Sequence, residues 1–168
     1  ATFALVKGLS EGLARSPLKQ KNLGALIAAK LPELGDGTAR LEGVLNQATT
    51  IALNREATEE ARLAALTLVS QKPWDEKKEV VTKLIALTEA PAIQEAACLM
   101  LSRDNREVVA EFFFERWDAL TPTARRVALD LITSNQKSGL ALMKKMKAGE
   151  ISPSIMPAMT RWSYGRSK

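Results

Sequence analysis

The sequence predicts an all-α fold, a right-handed alpha-alpha superhelix of stacked helical hairpins, on three observations. The first is internal repetition. Ala61-Arg62-Leu63-Ala64-Ala65-Leu66-Thr67-Leu68 lines up with Ile93-Gln94-Glu95-Ala96-Ala97-Cys98-Leu99-Met100, and both line up with Ala124-Arg125-Arg126-Val127-Ala128-Leu129-Asp130-Leu131. A common alanine falls at 65, 97 and 128, in steps of 32 and 31 residues, with a long polar residue (Arg62, Gln94, Arg125) three places earlier each time. Self-similarity at this period marks a stacked array of helical units. The second observation is punctuation. Pro17, Pro32 with Gly35 and Gly37, Asn54, Pro73, Pro91, Pro122 and Pro153 cut the chain into helix-length segments. Within those segments apolar residues recur at i, i+3 and i+4. The third is the lack of strand signals: there is no sustained apolar/polar alternation and no Asn-Gly hairpin turn.

The elements follow in order. A first helix is expected at about 2–15, with Phe3, Val6, Leu9 and Leu13 on one face, and a second at about 18–31. The Gly-rich turn Leu34-Gly35-Asp36-Gly37 leads to a third at about 38–53. The fourth, about 58–71, opens with Thr58-Glu59-Glu60, an N-cap followed by acids in the first turn. Helices at about 75–89, 91–102, 105–118, 122–134, 137–148 and 153–163 complete the chain. Pro91, Pro122 and Pro153 suit first-turn positions, where a missing N–H leaves nothing unpaired, and Thr121 and Ser152 are natural N-caps. Pro157 inside the last segment either delays that helix or kinks it. The whole reads as one repeat domain, 1–168, with cap helices at 1–37, regular hairpins at 38–134 and a basic, irregular cap at 135–168.

The repeated alanine has a packing reason. A small side chain lets a neighbouring helix approach closely, while Leu66, Leu99, Leu129 and Leu131 fill the space between layers. A single hairpin cannot bury both faces, so several must stack. Two roles suit Arg62 and Arg125 equally: hydrogen bonds to the turns of a preceding repeat, or exposed polar positions.

Composition narrows the function. At 168 residues the chain is long enough to bury a core, and 46% hydrophobic with 26% charged residues is a globular balance rather than a disordered one. No apolar run approaches the length of a membrane span, and no secretory signal pattern is visible. The first residue is Ala1 rather than Met, which suggests a fragment of a larger protein. There is no histidine, which removes histidine acid/base work, the usual catalytic triad, most zinc sites and histidine haem ligation. Cys98, the one cysteine, sits among Ala97, Leu99 and Met100 and reads as a small buried hydrophobe. No cofactor and no small-molecule substrate is expected. The net charge of +5 is uneven: residues 136–168 hold seven Lys/Arg against Glu150 alone, and the remaining 135 residues hold 17 basic and 18 acidic side chains. The basicity therefore belongs to the C-terminal end, which can dock on nucleic acid, anionic lipid or an acidic protein face.

The candidate binding residues are Trp117, Arg125, Lys144, Lys145, Arg161 and Trp162. Lys144, Lys145 and Lys147 with Arg161, Arg166 and Lys168, interleaved with Trp162 and Tyr164, combine phosphate-pairing cations with stacking rings. A solvated face is the plainer reading of the same charges. Phe112-Phe113-Phe114 with Trp117 is the main aromatic cluster; 113 and 117 share a helix face, so one of the three rings is expected to point outward or into the next layer. Met143, Met146, Met156 and Met159 read as the filling of an irregular cap. Glu56, Glu59, Glu60, Asp75, Glu76 and Glu79 cluster at helix starts, where the dipole explains them without catalysis. Gly8, Gly12 and Gly24 lack the spacing of a phosphate-binding loop.

Over roughly 38–163 the period and pattern resemble HEAT and HEAT-like repeats. A more specific likeness runs from Phe113-Phe114-Glu115-Arg116-Trp117-Asp118-Ala119-Leu120-Thr121-Pro122 through Lys147-Ala148-Gly149-Glu150-Ile151-Ser152-Pro153-Ser154. It resembles the HEAT-like segment of large exported dehydrogenase-type proteins of planctomycete and verrucomicrobial bacteria. In that family the segment joins a sugar-dehydrogenase-like β-propeller to a c-type cytochrome module. The resemblance implies an exported, non-catalytic scaffold or spacer, in contact with protein partners or flanking domains of the same polypeptide. It supplies no active-site residue, since this chain has no Cys-x-x-Cys-His and continues with Met159-Thr160-Arg161-Trp162-Ser163-Tyr164-Gly165 where the family commonly carries a polar His/Asp/Pro stretch. Two other readings compete: a nucleic-acid-binding helical-repeat protein, such as a HEAT-like DNA-repair glycosylase using the C-terminal basic face, and an enzyme such as a chromophore lyase on a HEAT-like stack.

Overall fold

A computed structural model describes residues 8, 12, 15, 23–29 and 35–155. Among these residues the fold is all-α, with turns and no strand. The expected helix at 2–15 lies outside them except for Gly8, Gly12 and Arg15, which are helical. The expected helix at 153–163 is described only as a 3-10 turn at Pro153–Ile155. The chain divides into two compact units, Ala1–Arg103 and Asp104–Lys168.

In the first unit α1 (Leu23–Ala28), α2 (Gly37–Leu53), α3 (Glu59–Val69), α4 (Trp74–Leu84) and α5 (Pro91–Leu99) follow one another, and α5 runs on as a 3-10 turn, Met100–Arg103. The hairpins are α2 with α3 and α4 with α5; like helices then stack on like, α2 on α4 and α3 on α5. The alanines make that stacking possible: Ala65 on α3 and Ala97 on α5 are fully buried. Leu66, Val69, Val81, Leu84, Ile93 and Leu101 close the core around them. Full burial of each such leucine or isoleucine contributes about 1.5–3 kcal/mol. Thr58 caps α3 as expected, its hydroxyl accepting from the Ala61 N–H, with Glu59 and Glu60 in the first turn.

The helix expected at 75–89 stops at Leu84, because Ile85 leaves helical geometry (φ −85°, ψ 5°). Pro91 sets the far end of this turn: it holds Ala90 extended (φ −61°, ψ 141°) and itself opens α5. The released stretch folds back, with the Glu89 N–H donating to Ala86 O at 3.1 Å, and this turn carries Glu89 inward.

Two polar devices tie the remaining helices in. Lys72, just past α3, is buried, and its ammonium meets Asn46 Oδ1 at 2.8 Å, Thr49 Oγ1 at 3.2 Å and Glu76 Oε2 at 2.7 Å. An ammonium has three N–H donors, so this one is fully matched between α2 and the start of α4. Gly24 on α1 brings its N–H to Gln71 O at 2.8 Å, and a Cβ built there would lie 2.4 Å from that same oxygen. Only glycine permits this approach.

In the second unit α6 (Arg106–Glu115) is followed by a 3-10 turn (Trp117–Ala119), α7 (Pro122–Thr133) and α8 (Gln136–Lys147). All three helices pack on one another. Each begins with a side-chain cap: Asn105 accepts from Glu107 and Val108 N–H, Thr121 from Ala124 N–H, and Asn135 from Ser138 N–H. The segment expected as one helix at 105–118 breaks at Arg116 (φ −114°, ψ 9°) into helix and 3-10 turn. Phe112, Phe113 and Phe114 are all buried, so none of the three rings points out to solvent. Cations cover the outer two: the Arg116 guanidinium lies 4.4 Å above the Phe112 ring, and the Lys145 ammonium 5.4 Å from that of Phe114. Gly149 (φ 78°) ends α8 in a Schellman turn, with Glu150 N–H on Lys145 O and Gly149 N–H on Met146 O.

Replacing Gly24 by alanine is expected to lower stability by about 1–3 kcal/mol, since the added methyl must push α1 away from Gln71. Urea unfolding of the variant checks this; an unchanged midpoint would refute the close approach.

Candidate interaction site

The three equivalent polar positions do one job. Arg62 Nε donates to Ala52 O at 3.0 Å. Gln94 Nε2 donates to Ala86 O and Glu89 O, both at 2.9 Å. Arg125 Nε donates to Trp117 O at 3.2 Å, and its Nη2 to Asp118 O at 3.1 Å. In each hairpin the second helix reaches back 5 to 10 residues to carbonyls in the last turn of the first helix or in the turn that follows it. Ala52 O stands in the last turn of its helix, where the helix itself supplies no donor, while Ala86 O also accepts from the Glu89 N–H and Trp117 O from the Leu120 N–H, so there the side chain adds a second bond to a turn carbonyl. Of the two roles open to Arg62 and Arg125, the turn-bonding one is observed, and the turn bonded is that of their own hairpin. Ala128, like Ala65 and Ala97, is fully buried beneath this contact.

Arg62 and Gln94 are buried, and Arg62 would be an unmatched internal charge without Glu89. Its Nη2 meets Glu89 Oε2 at 2.7 Å, with side chains only 8% and 4% exposed. The other carboxylate oxygen accepts from Arg55 Nε at 3.0 Å, and Arg55 also reaches Thr88 Oγ1. Glu89 thus joins the two hairpins of the first unit. Spacing gave no sign of it: Glu89 lies 27 residues from Arg62, in a stretch read as helix. The available signal was chemical, since a buried arginine requires a carboxylate.

The sequence-derived candidates separate in space. Trp117 is buried, and Arg125 is engaged as described. Lys145 pairs with Glu150 at 2.9 Å, and this hydrogen bond, with the charges of Glu150 and Glu111, raises its pKa. Lys137, on the same helix, pairs with Glu107 at 3.1 Å. Lys144 and Lys147 are exposed, on the solvent face that also carries Leu140. Arg161 and Trp162, with Met156, Met159, Tyr164, Arg166 and Lys168, lie outside the described residues. Met146 is buried in α8, as cap filling requires. Cys98 is fully buried, and burial, then the Glu95 charge, pushes its thiol up to about 12.

Sequence reasoning gave no sign of the groove between α3 and α5. It has a volume of about 390 Å3; Leu66 and Met100 are buried at its floor, and Leu63, Thr67, Ala96 and Leu99 line its walls. Ser70, Ser102 and Arg103 lie at its C-terminal end. Two small residues, Thr67 of α3 and Ala96 of α5, are among those that line it. Among the described residues there is no group of three or more His, Cys, Asp or Glu placed to hold a metal ion, and no helix long and apolar enough to cross a membrane. No protein-family model, curated protein or solved structure matches the chain.

Substituting Glu89 by alanine strands Arg62 and is expected to cost about 3 kcal/mol, while Arg55→Ala, at a side chain 60% exposed, should cost under about 1 kcal/mol. Equal losses in urea unfolding would contradict this ranking. Cys98 in the native protein should resist iodoacetamide at pH 8 and react once unfolded in urea; equal labelling rates, read by mass spectrometry, would show that the thiol is accessible.

Proposed function

We propose that this chain is a non-catalytic helical-repeat scaffold of HEAT-like type. On this reading its hairpins stack into an alpha-alpha superhelix. It mediates protein–protein or interdomain contacts, as a spacer within a larger exported dehydrogenase- or cytochrome-type protein. The observation that carries the reading is the threefold recurrence of one contact: Arg62, Gln94 and Arg125, at equivalent positions, each bond the closing turn of their own hairpin. A unit repeated with its internal bonding intact serves to hold shape and present a surface. Carboxylates also support it: Glu76, Glu89, Glu107 and Glu150 are spent on ion pairs within the fold rather than gathered around a cleft.

Binding of nucleic acid is the second reading. Lys137 and Lys145 of α8 are neutralised by Glu107 and Glu150, which leaves Lys144 and Lys147 as the cations of that helix without an ion pair among the described residues. Phosphate binding draws on several such cations together.

The spacer role is tested by the mass of the native gene product, read by immunoblot of source cells. A band well above 18.3 kDa is expected; a band near 18.3 kDa would remove the spacer role and leave a free-standing scaffold. The nucleic-acid reading is tested by duplex DNA at about 0.15 M salt, where the scaffold reading expects no measurable affinity. Tight binding that vanishes on Lys144→Glu with Lys147→Glu would replace the scaffold reading with the nucleic-acid one.

A further inference from the structure

The groove between α3 and α5 combines an apolar floor with unused hydrogen-bond donors at one end. The wall hydroxyls at Thr67 and Ser70 donate to carbonyls of their own helix, Leu63 O and Thr67 O. The Ser102 hydroxyl and the Arg103 guanidinium have no such use: among the described residues neither makes a hydrogen bond or an ion pair. Arg103 therefore contrasts with Arg55, Arg62, Arg116 and Arg125, each of which is bonded within the fold. A cation at the C-terminal end of α5 is favourable on dipole grounds. The dipole accounts for the charge but not for the open space beside it. Leu99 stays 46% exposed on the rim, leaving apolar surface in water beside a free guanidinium.

Size and chemistry restrict the occupant. At about 390 Å3 the groove lies near the lower end of ligand sites, room for one or two apolar side chains. Met100 at the floor is unbranched and can adjust to either. Arginine presents a planar fork that pairs two N–H groups with the two oxygens of a carboxylate. Solvent reaches Thr67, Leu99 and Arg103 along the rim, so a chain can cross the groove rather than be enclosed by it.

We propose that this groove docks an acidic peptide segment of a partner protein, which inserts one large apolar side chain between α3 and α5 and sets a carboxylate against Arg103. The proposal rests on the scaffold role and gives its partner a chemistry. The Ser102 hydroxyl then donates to the same carboxylate or to a neighbouring peptide carbonyl. Leu63 and Leu99 flank the apolar anchor.

The test is selection of random dodecapeptides displayed on phage against the full chain, followed by fluorescence anisotropy with the selected peptide. The selected sequences are expected to carry Asp or Glu within a few residues of Leu, Met or Phe. Affinity should fall at least about tenfold in Thr67→Trp, which fills the groove from an exposed position, and in Arg103→Glu, both with unchanged thermal unfolding. Exchanging the peptide's acid for lysine should restore binding to Arg103→Glu. Peptides that bind both variants as well as the parent chain would overturn the groove and leave the scaffold role in place. Selection of no peptide would overturn the docking proposal; the scaffold role fails separately, on DNA binding lost with Lys144 and Lys147.

Discussion

Everything in the described fold depends on how a helical hairpin satisfies its own closing turn. A helix leaves its last carbonyls without partners, and burying them unpaired costs about 1–3 kcal/mol each. Here the following helix supplies the donor from a fixed place, three residues before a buried alanine. The alanine and the donor form one design: the small residue lets the neighbouring helix come close, and the long one reaches across to the turn. Where the donor is a buried arginine its charge must be answered, so Arg62 requires Glu89. Where it is Gln94, a neutral amide serves two carbonyls and needs no counter-ion.

The charge arrangement follows a similar economy. The sequence concentrates basicity at its C-terminal end, yet α8 spends Lys137 and Lys145 locally. Lys145 does three things at once: it covers the Phe114 ring, pairs with Glu150 and sits in the Schellman turn that ends the helix. A hydrophobic contact often closes such a turn; here an ion pair takes that place. The guanidinium of Arg103, which has no ion pair or hydrogen bond among the described residues and lies beside an apolar groove, is the opposite case.

Much of this was legible in the residues. The repeat period located Ala65, Ala97 and Ala128 and the donors before them, and Thr58, Thr121, Pro91 and Pro122 fixed helix starts through local chemistry. The sequence was silent where a tertiary partner decides the outcome. Glu89 reads as one more acid on a helix until Arg62 is seen to need it. The caps at Asn105 and Asn135 were not among the starts read from the sequence. For the aromatic run, helical geometry left open whether one ring points outward or into the next layer, because it alone cannot know that Arg116 and Lys145 will cover the outer two. The groove is lined by residues of two different helices, α3 and α5, and no pattern along the sequence records which of them meet.

The separation between bonded residues carries a consequence for the order in which this structure assembles. The donor contacts span only 5 to 10 residues, whereas the bonds of Glu89 span 27 to Arg62 and 34 to Arg55. Closing a short loop loses less chain entropy and happens sooner. The hairpins can therefore form as independent local units, each with its turn already satisfied, while the Glu89 bridges wait for two of them to meet. In the first unit, stitching comes after shaping, and the interface between hairpins is the last part to form and the first to open.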